Sequence, residues 1–311
     1  MLTIFESILP VFLLIGAGVV LRRLPIISKD VWPGIEQLTY WFLYPALLFV
    51  TIYDADFSPL RLDALLLSLL LAVAAMCVLL LAAWPIFQKT GWVAHSEFSS
   101  VFQTSIRWNG FIALPVAQAI FPPQGAAVVA LAMASIIIPI NIVVVLVITR
   151  FADRDASIGI LLRRMALNPF IISTGAAVLV RMLPFEIYEP VRVTLKLAGT
   201  SALGIGLMAI GAALRTERLS LKRSSIWPPV IAKLLVYPAV IAIIAWCIGV
   251  SGLEIQYLVL CAAVPTAANG YLLARLLGGD AELYAEVKTL QTALSFLTMP
   301  LVLSVAAQSL G

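Results

Sequence analysis

Two short polar interruptions carry the residues whose types and spacing could do chemistry. Arg107, Asn109 and Gly110 belong to Arg107-Trp108-Asn109-Gly110-Phe111-Ile112-Ala113-Leu114-Pro115, and Thr266, Asn269 and Gly270 to Pro265-Thr266-Ala267-Ala268-Asn269-Gly270-Tyr271, each set in apolar sequence. Both read Asn-Gly-aromatic with a proline four to six residues away, Pro115 in one and Pro265 in the other. A Gly/Pro break in a helix strips N–H and C=O groups of their intrahelical partners. The positive end of the following half-helix can then hold an anion, and the freed carbonyls a cation. Proline, lacking an N–H and clashing with the preceding turn, would keep such a break open. Asparagine donates and accepts at once, which suits a ligand presenting a carboxylate.

Arg107 is the most suggestive charge. A cation inside an apolar span faces a cavity or a partner because burying it alone is costly. Two readings stand side by side: an anchor for an anionic substrate, or a structural ion pair with Glu97 or with a carboxylate from the last span. That last span carries Glu282, Glu286, Lys288 and Gln291. Glu282 and Glu286 share a helix face by their spacing and would cap a helix start, while Glu286 and Lys288 are candidates for proton coupling. Lys233 is expected to snorkel to the membrane surface, Asn141 to join two helices, and Gly199, Gly204, Gly206 and Gly211 to allow close helix packing. Trp32, Trp41, Trp92 and Tyr257 are read as interface anchors.

The elements that must position these residues are membrane spans. The chain has 311 residues, 62% of them hydrophobic and 12% charged, with a mean hydropathy of +1.06. Such a composition marks a polytopic membrane protein. The net charge of +4 reflects orientation in the bilayer and not nucleic-acid binding, since the basic residues cluster in short segments between apolar runs. Ten spans are predicted, at 2–21, 35–53, 63–86, 97–121, 125–149, 167–184, 194–214, 226–249, 254–277 and 282–307. The odd-numbered connections hold thirteen Lys and Arg, among them Arg22, Arg23, Arg150, Arg154, Arg163, Arg164, Arg215, Arg218, Arg223 and Arg275; the even-numbered ones hold only Arg61, Arg181, Arg192 and Lys196. The positive-inside rule therefore puts the odd connections in the cytoplasm and both termini outside. Glu6 at the start, with Arg22 and Arg23 after the apolar run, argues for a first span rather than a cleaved signal.

The halves repeat. Pro10, Gly16, Ala17, Arg22, Leu24 and Pro25 recur 159 positions later as Pro169, Gly175, Ala176, Arg181, Leu183 and Pro184; Asn109-Gly110-Phe111 recurs at 160 as Asn269-Gly270-Tyr271; Pro139 recurs at 161 as Pro300. Five spans per repeat is an odd number, so the second must be inverted. The expected organisation is a first repeat over 1–150, a cytoplasmic connection over 151–166 and an inverted repeat over 167–311. The fold class is all-α, polytopic, with the fourth and ninth spans broken and crossing at mid-depth.

Arg107 to Ile112, Pro139-Ile140-Asn141, Asn168-Pro169-Phe170, Pro265 to Arg275, Gly278-Gly279-Asp280 and Gln291-Thr292 resemble the auxin efflux carrier family across essentially the whole chain. The likeness is to bacterial members, which include malonate-type transporters and are related to the plant PIN carriers. The resemblance implies a fold like that of the bile acid/sodium symporters. In it, spans 1, 2, 6 and 7 form a scaffold that dimerises, while spans 3–5 and 8–10 form a transport unit moving as an elevator for small organic anions. It places Asn109, Pro115, Pro265 and Asn269 at the crossover. The third span, Leu65 to Trp84, carries no charge, unlike the plant members, which have an Asp/Lys pair there.

Other chemistry is not supported. Cys77, Cys247 and Cys261 lie in spans without CxxC spacing, and His95 is the lone histidine, so zinc sites and histidine-based triads are not expected. No P-loop is present, and no cofactor, metal or nucleic-acid partner is expected. The reading is a secondary carrier or facilitator of small carboxylates in the inner membrane, working with the lipid bilayer and with a second copy through spans 2 and 7. A membrane receptor that senses such a ligand without moving it is the alternative.

Overall fold

The computed structural model describes residues 2–25, 27–58, 60–151, 166–184, 186–215, 217, 219, 221–267 and 269–309. The predicted connection 151–166 lies almost wholly outside them, as do Arg154, Arg163, Arg164, Arg218 and Ala268. Among the described residues there is no strand. The helices are α1 Leu2–Arg23, α2 Val31–Tyr53, α3 Leu62–Thr90, α4 His95–Ile106, α5 Gly110–Ile120, α6 Pro123–Phe151, α7 Pro169–Arg181, α8 Glu189–Ala212, α9 Ser224–Ile248, α10 Leu253–Ala263, α11 Asn269–Leu277 and α12 Ala281–Ser309.

Seven of these, α1, α2, α3, α6, α8, α9 and α12, are long and apolar enough to cross a membrane. The predicted fourth span is the pair α4 and α5, the predicted ninth is α10 and α11, and the predicted sixth is the 13-residue α7. Asn168 starts α7 cleanly: its side-chain oxygen accepts from the Phe170 N–H at 2.9 Å, and Pro169 follows at the first helical position, where a missing N–H costs nothing. Large apolar side chains stay exposed along the long helices, among them Leu13, Val78, Leu146, Leu197, Ile243 and Leu297. Lipid is the solvent that tolerates such a surface.

Two helices change pitch to admit a proline. In α2 the turn Thr39–Leu43 and in α9 the turn Ala232–Val236 are π-helical, and each leads into a Tyr-Pro pair, Tyr44-Pro45 and Tyr237-Pro238. Proline cannot donate to the carbonyl four residues back and its ring collides there. A widened turn around Trp41 and around Leu234 moves that carbonyl aside.

Two packed groups result. Helix α1 lies along α8, α2 along α7, and α8 also along α2; α3 packs on α9, α9 on α10, α10 on α12, and both α4 and α5 on α6. The glycines of α8 explain the first group. A Cβ on Gly211 would collide with the Ile15 carbonyl of α1, one on Gly199 would strike the Leu47 backbone of α2, and one on Gly206 would crowd Phe111, whereas Gly204 faces open space. Close packing within the chain therefore accounts for three of the four. Trp32 and Tyr257 are buried, so they are not interface anchors; Tyr257 stacks edge-on against Phe121 at 4.8 Å, while Trp41 and Trp92 are exposed. Cys77 and Cys261 are buried, and Cys247 is exposed on α9.

Candidate functional site

The first interruption is an extended stretch. Arg107 closes α4 with φ −71° and ψ 149°, and Asn109 precedes α5 with φ −98° and ψ 94°. No side chain caps α5, so its opening N–H groups present a positive end. Arg107 is 5% exposed. Its Nη2 donates to Asn141 Oδ1 of α6 at 2.9 Å, and its Nε is buried without a partner. Among the described residues no carboxylate lies within ion-pair distance of it. Glu97, one expected partner, is committed elsewhere: it accepts from the Ala94 N–H at 2.8 Å, from Ser225 Oγ at 3.0 Å and from Arg223 at 2.7 Å. Asn141 joins two helices, as expected.

Pro115 does not open this gap. It lies inside α5, where it leaves the Phe111 carbonyl without its usual donor. What fixes the gap from outside is a pair of tyrosines the sequence reading did not single out. Tyr44 OH of α2 donates to the Gly110 carbonyl, and Trp108 Nε1 donates to Tyr237 OH of α9 at 3.2 Å. The signal that could have found them is the mid-span Tyr-Pro pair. Phe111 packs against Tyr44, ring centroids 4.2 Å apart, and both against Phe170.

The second interruption runs from Val264 to Ala267, between α10 and α11, and Pro265 lies within it. Two of its peptide groups are taken up by side chains. Gln291 Oε1 accepts from the Thr266 N–H at 3.0 Å, Tyr284 OH donates to the Ala267 carbonyl at 2.6 Å, and Thr266 Oγ1 lies 3.1 Å from Tyr284 OH. A Cβ on Gly270 would strike the Tyr284 ring, so glycine there is a matter of space. Asn269 is the first residue of α11.

Gln291 ties the two interruptions together, since its Nε2 donates to the Thr104 carbonyl of α4 at 3.0 Å and to the Pro229 carbonyl of α9 at 2.9 Å. A family model described as membrane transport protein matches residues 3–303. The chain belongs to the auxin efflux carrier family. No curated protein matches it. Membership makes it a multi-pass membrane transport protein and not a member of an enzyme family.

In this family member, Lys233 does not snorkel. It is wholly buried, its Nζ donates to the Ala262 carbonyl in the last turn of α10, and it lies 4.8 Å from the Tyr237 ring centroid. The negative end of a half-helix inside the protein is a better place for an ammonium than lipid. Glu286 Oε2 is buried without a partner, and Lys288, also buried, lies 3.5 Å from the Ala213 carbonyl past the end of α8. They lie 19 or more residues past the second interruption in sequence, and no hydrogen bond or ion pair joins them to Arg107.

Arg223 fastens the far end of α4. It binds Glu97 and Asp280, and Asp280 Oδ1 in turn accepts from the Leu283 N–H at 2.9 Å at the start of α12. Burial works against the Arg223 charge, but the two carboxylates outweigh it and hold the guanidinium pKa above its ordinary value. A separate cavity of about 360 Å³ opens between α2 and α8 on one side and α5 and α6 on the other, lined by Thr51, Asp54, Gln118 and Lys196 among others. It includes no residue of either interruption. No group of three or more metal-binding side chains occurs among the described residues.

Proposed function

We propose that this chain carries small organic anions, carboxylates above all, across the inner membrane of a bacterium, holding them between Arg107 and the uncapped start of α5. One observation carries the reading: a buried guanidinium with an open Nε and no carboxylate in reach. An unpaired buried cation is costly, and an incoming anion is what would offset that cost. Asn109 and Gly110 from the same gap, and Thr266, Asn269 and Gly270 with Pro265 from the other, complete the site in this reading. At the second gap Tyr284 holds the Ala267 carbonyl and Lys233 the Ala262 carbonyl at the end of α10, so the anion is read onto the uncapped N–H end at the first.

The carrier is read as two inverted five-span repeats, 1–150 and 167–311, with its termini outside. The mated packing of α1 on α8 and α2 on α7 supports this, because an in-plane two-fold would exchange those pairs. Transport is read as alternating access, with α1, α2, α7 and α8 stationary and meeting a second copy through α2 and α8. The 360 Å³ cavity between the two groups at one end supports it. At the other end Lys288 and Arg215 close onto α8 and α11, the latter by a 2.9 Å bond to Tyr271 OH. Glu286 and Lys288, at that closed end, remain the candidates for proton coupling.

Flux of labelled carboxylates in proteoliposomes tests this. Arg107→Gln should raise the half-saturating concentration at least about ten-fold, the loss of one charge-assisted contact. An unchanged value would make Arg107 structural, and binding without flux for every acid tried would make the protein a receptor.

A further inference from the structure

Helix α4 is polar and yet buried: Ser99, Ser100, Gln103, Thr104 and Ser105 are all 0% exposed. Three of the five are satisfied, two of them within the helix. Ser100 Oγ donates to the Asp280 carbonyl at 2.7 Å, Thr104 Oγ1 to the Ser100 carbonyl at 2.7 Å and Ser105 Oγ to the Val101 carbonyl at 2.7 Å. Gln103 differs. Both its Oε1 and its Nε2 are buried with no partner, as are Ser99 Oγ and Arg107 Nε. Positions 99, 103 and 107 are spaced four apart, so they line one face of the helix. The open atoms therefore form a single strip ending at the guanidinium.

A buried amide left without partners is a net cost that leucine or methionine would avoid, and such groups in a folded protein call for an absent partner. The absent partner has to match a donor and an acceptor one helical turn, about 5–6 Å, from Arg107. We infer that Gln103 is a specificity-determining contact of the Arg107 site, and that the ligand is a small carboxylic acid bearing a second hydrogen-bonding group. The carboxylate meets Arg107, and a hydroxyl or second carboxyl meets Gln103. This rests on the anion site proposed above and narrows its substrate class.

The test uses the purified full chain in detergent at fixed pH, with dissociation constants measured by calorimetry for propionate, lactate and succinate. These present no second group, a hydroxyl and a second carboxylate respectively. Lactate or succinate should bind about ten-fold more tightly than propionate, the worth of one buried hydrogen bond. Gln103→Leu should erase that margin while changing propionate less than about three-fold, and it should raise the unfolding midpoint of the ligand-free protein. Gln103→Met serves as a second apolar variant should leucine fail to pack. A margin that survives both variants, or no margin in the unaltered protein, overturns the inference, and so does a lower ligand-free midpoint in both. Arg107→Gln separates the two layers. If it abolishes binding of all three acids while the Gln103 variants keep the margin, only this inference fails; if all three still bind, the anion site itself is wrong.

Discussion

Arg22 and Arg181, 159 positions apart, make the same contact on different helices. Arg22 Nη1 of α1 donates to the Ala212 carbonyl at the C-terminus of α8, and Arg181 Nη1 of α7 donates to the Ile52 and Tyr53 carbonyls at the C-terminus of α2, at 2.8 and 2.9 Å. A cation at the negative end of a helix is favourable by about 0.3–1 kcal/mol when exposed. Arg22→Met and Arg181→Met should each lower the thermal unfolding midpoint by a similar small amount, and the double variant should show the sum. Strongly unequal losses would show that the matched sequence positions do not do matched work.

Gln291 satisfies three backbone groups on three segments at once. Replacing it by leucine keeps the volume and strands the Thr266 N–H and the Thr104 carbonyl, each at about 1–3 kcal/mol, while the Pro229 carbonyl keeps the Ala232 N–H. Gln291→Leu should therefore be among the more destabilising single changes in the chain, about 2 kcal/mol or more by equilibrium unfolding. A loss under about 1 kcal/mol would mean that water readily replaces the side chain.

Gly270 and Tyr284 compete for the same space. Gly270→Ala should force the phenol away and break its bonds to Thr266 and Ala267, costing about 1–3 kcal/mol as overpacking does. Tyr284→Phe alone should cost about 1 kcal/mol. In the double variant the two effects should be less than additive in a thermal-shift cycle, because both changes break the same bonds to Thr266 and Ala267. Full additivity would argue that the two residues do not touch.

Within α8, Gly211→Ala should destabilise by about 1–3 kcal/mol because the Ile15 carbonyl stands where the methyl would go. Gly204→Ala meets nothing and should be neutral or stabilising by up to about 1 kcal/mol through helix propensity. Equal effects would refute the close approach of α1 to α8.

Hydropathy located the seven long helices, and the Asn-Gly and proline motifs marked both interruptions, because an apolar run of span length and a Gly/Pro break within one are local properties of the chain. The Arg22 to Arg181 correspondence was legible for the same reason, as was the helix start at Asn168-Pro169. Family membership was carried by motifs and followed from them. The partners of the charged residues were not legible. Glu97 was a reasonable mate for Arg107 by type, but Arg223 and Ser225 arrive from a distant segment and claim it. Lys233 looked like a snorkelling lysine until α10 was seen to end beside it. Pro115, four residues past Phe111 and unable to donate to its carbonyl, read as part of the break and is instead housed inside α5.

The amino-acid sequence by itself determined that this is a polytopic, all-helical transport protein with two matched breaks, since burial in lipid demands continuous apolar stretches and makes every interruption conspicuous. Only the tertiary structure decided which backbone and side-chain groups at those breaks are already answered by Tyr44, Gln291, Tyr284 and Lys233, and which, at Gln103 and Arg107, stay open. Hydrogen bonds across helices depend on rotation and depth, and neither is written in the hydropathy of a single span.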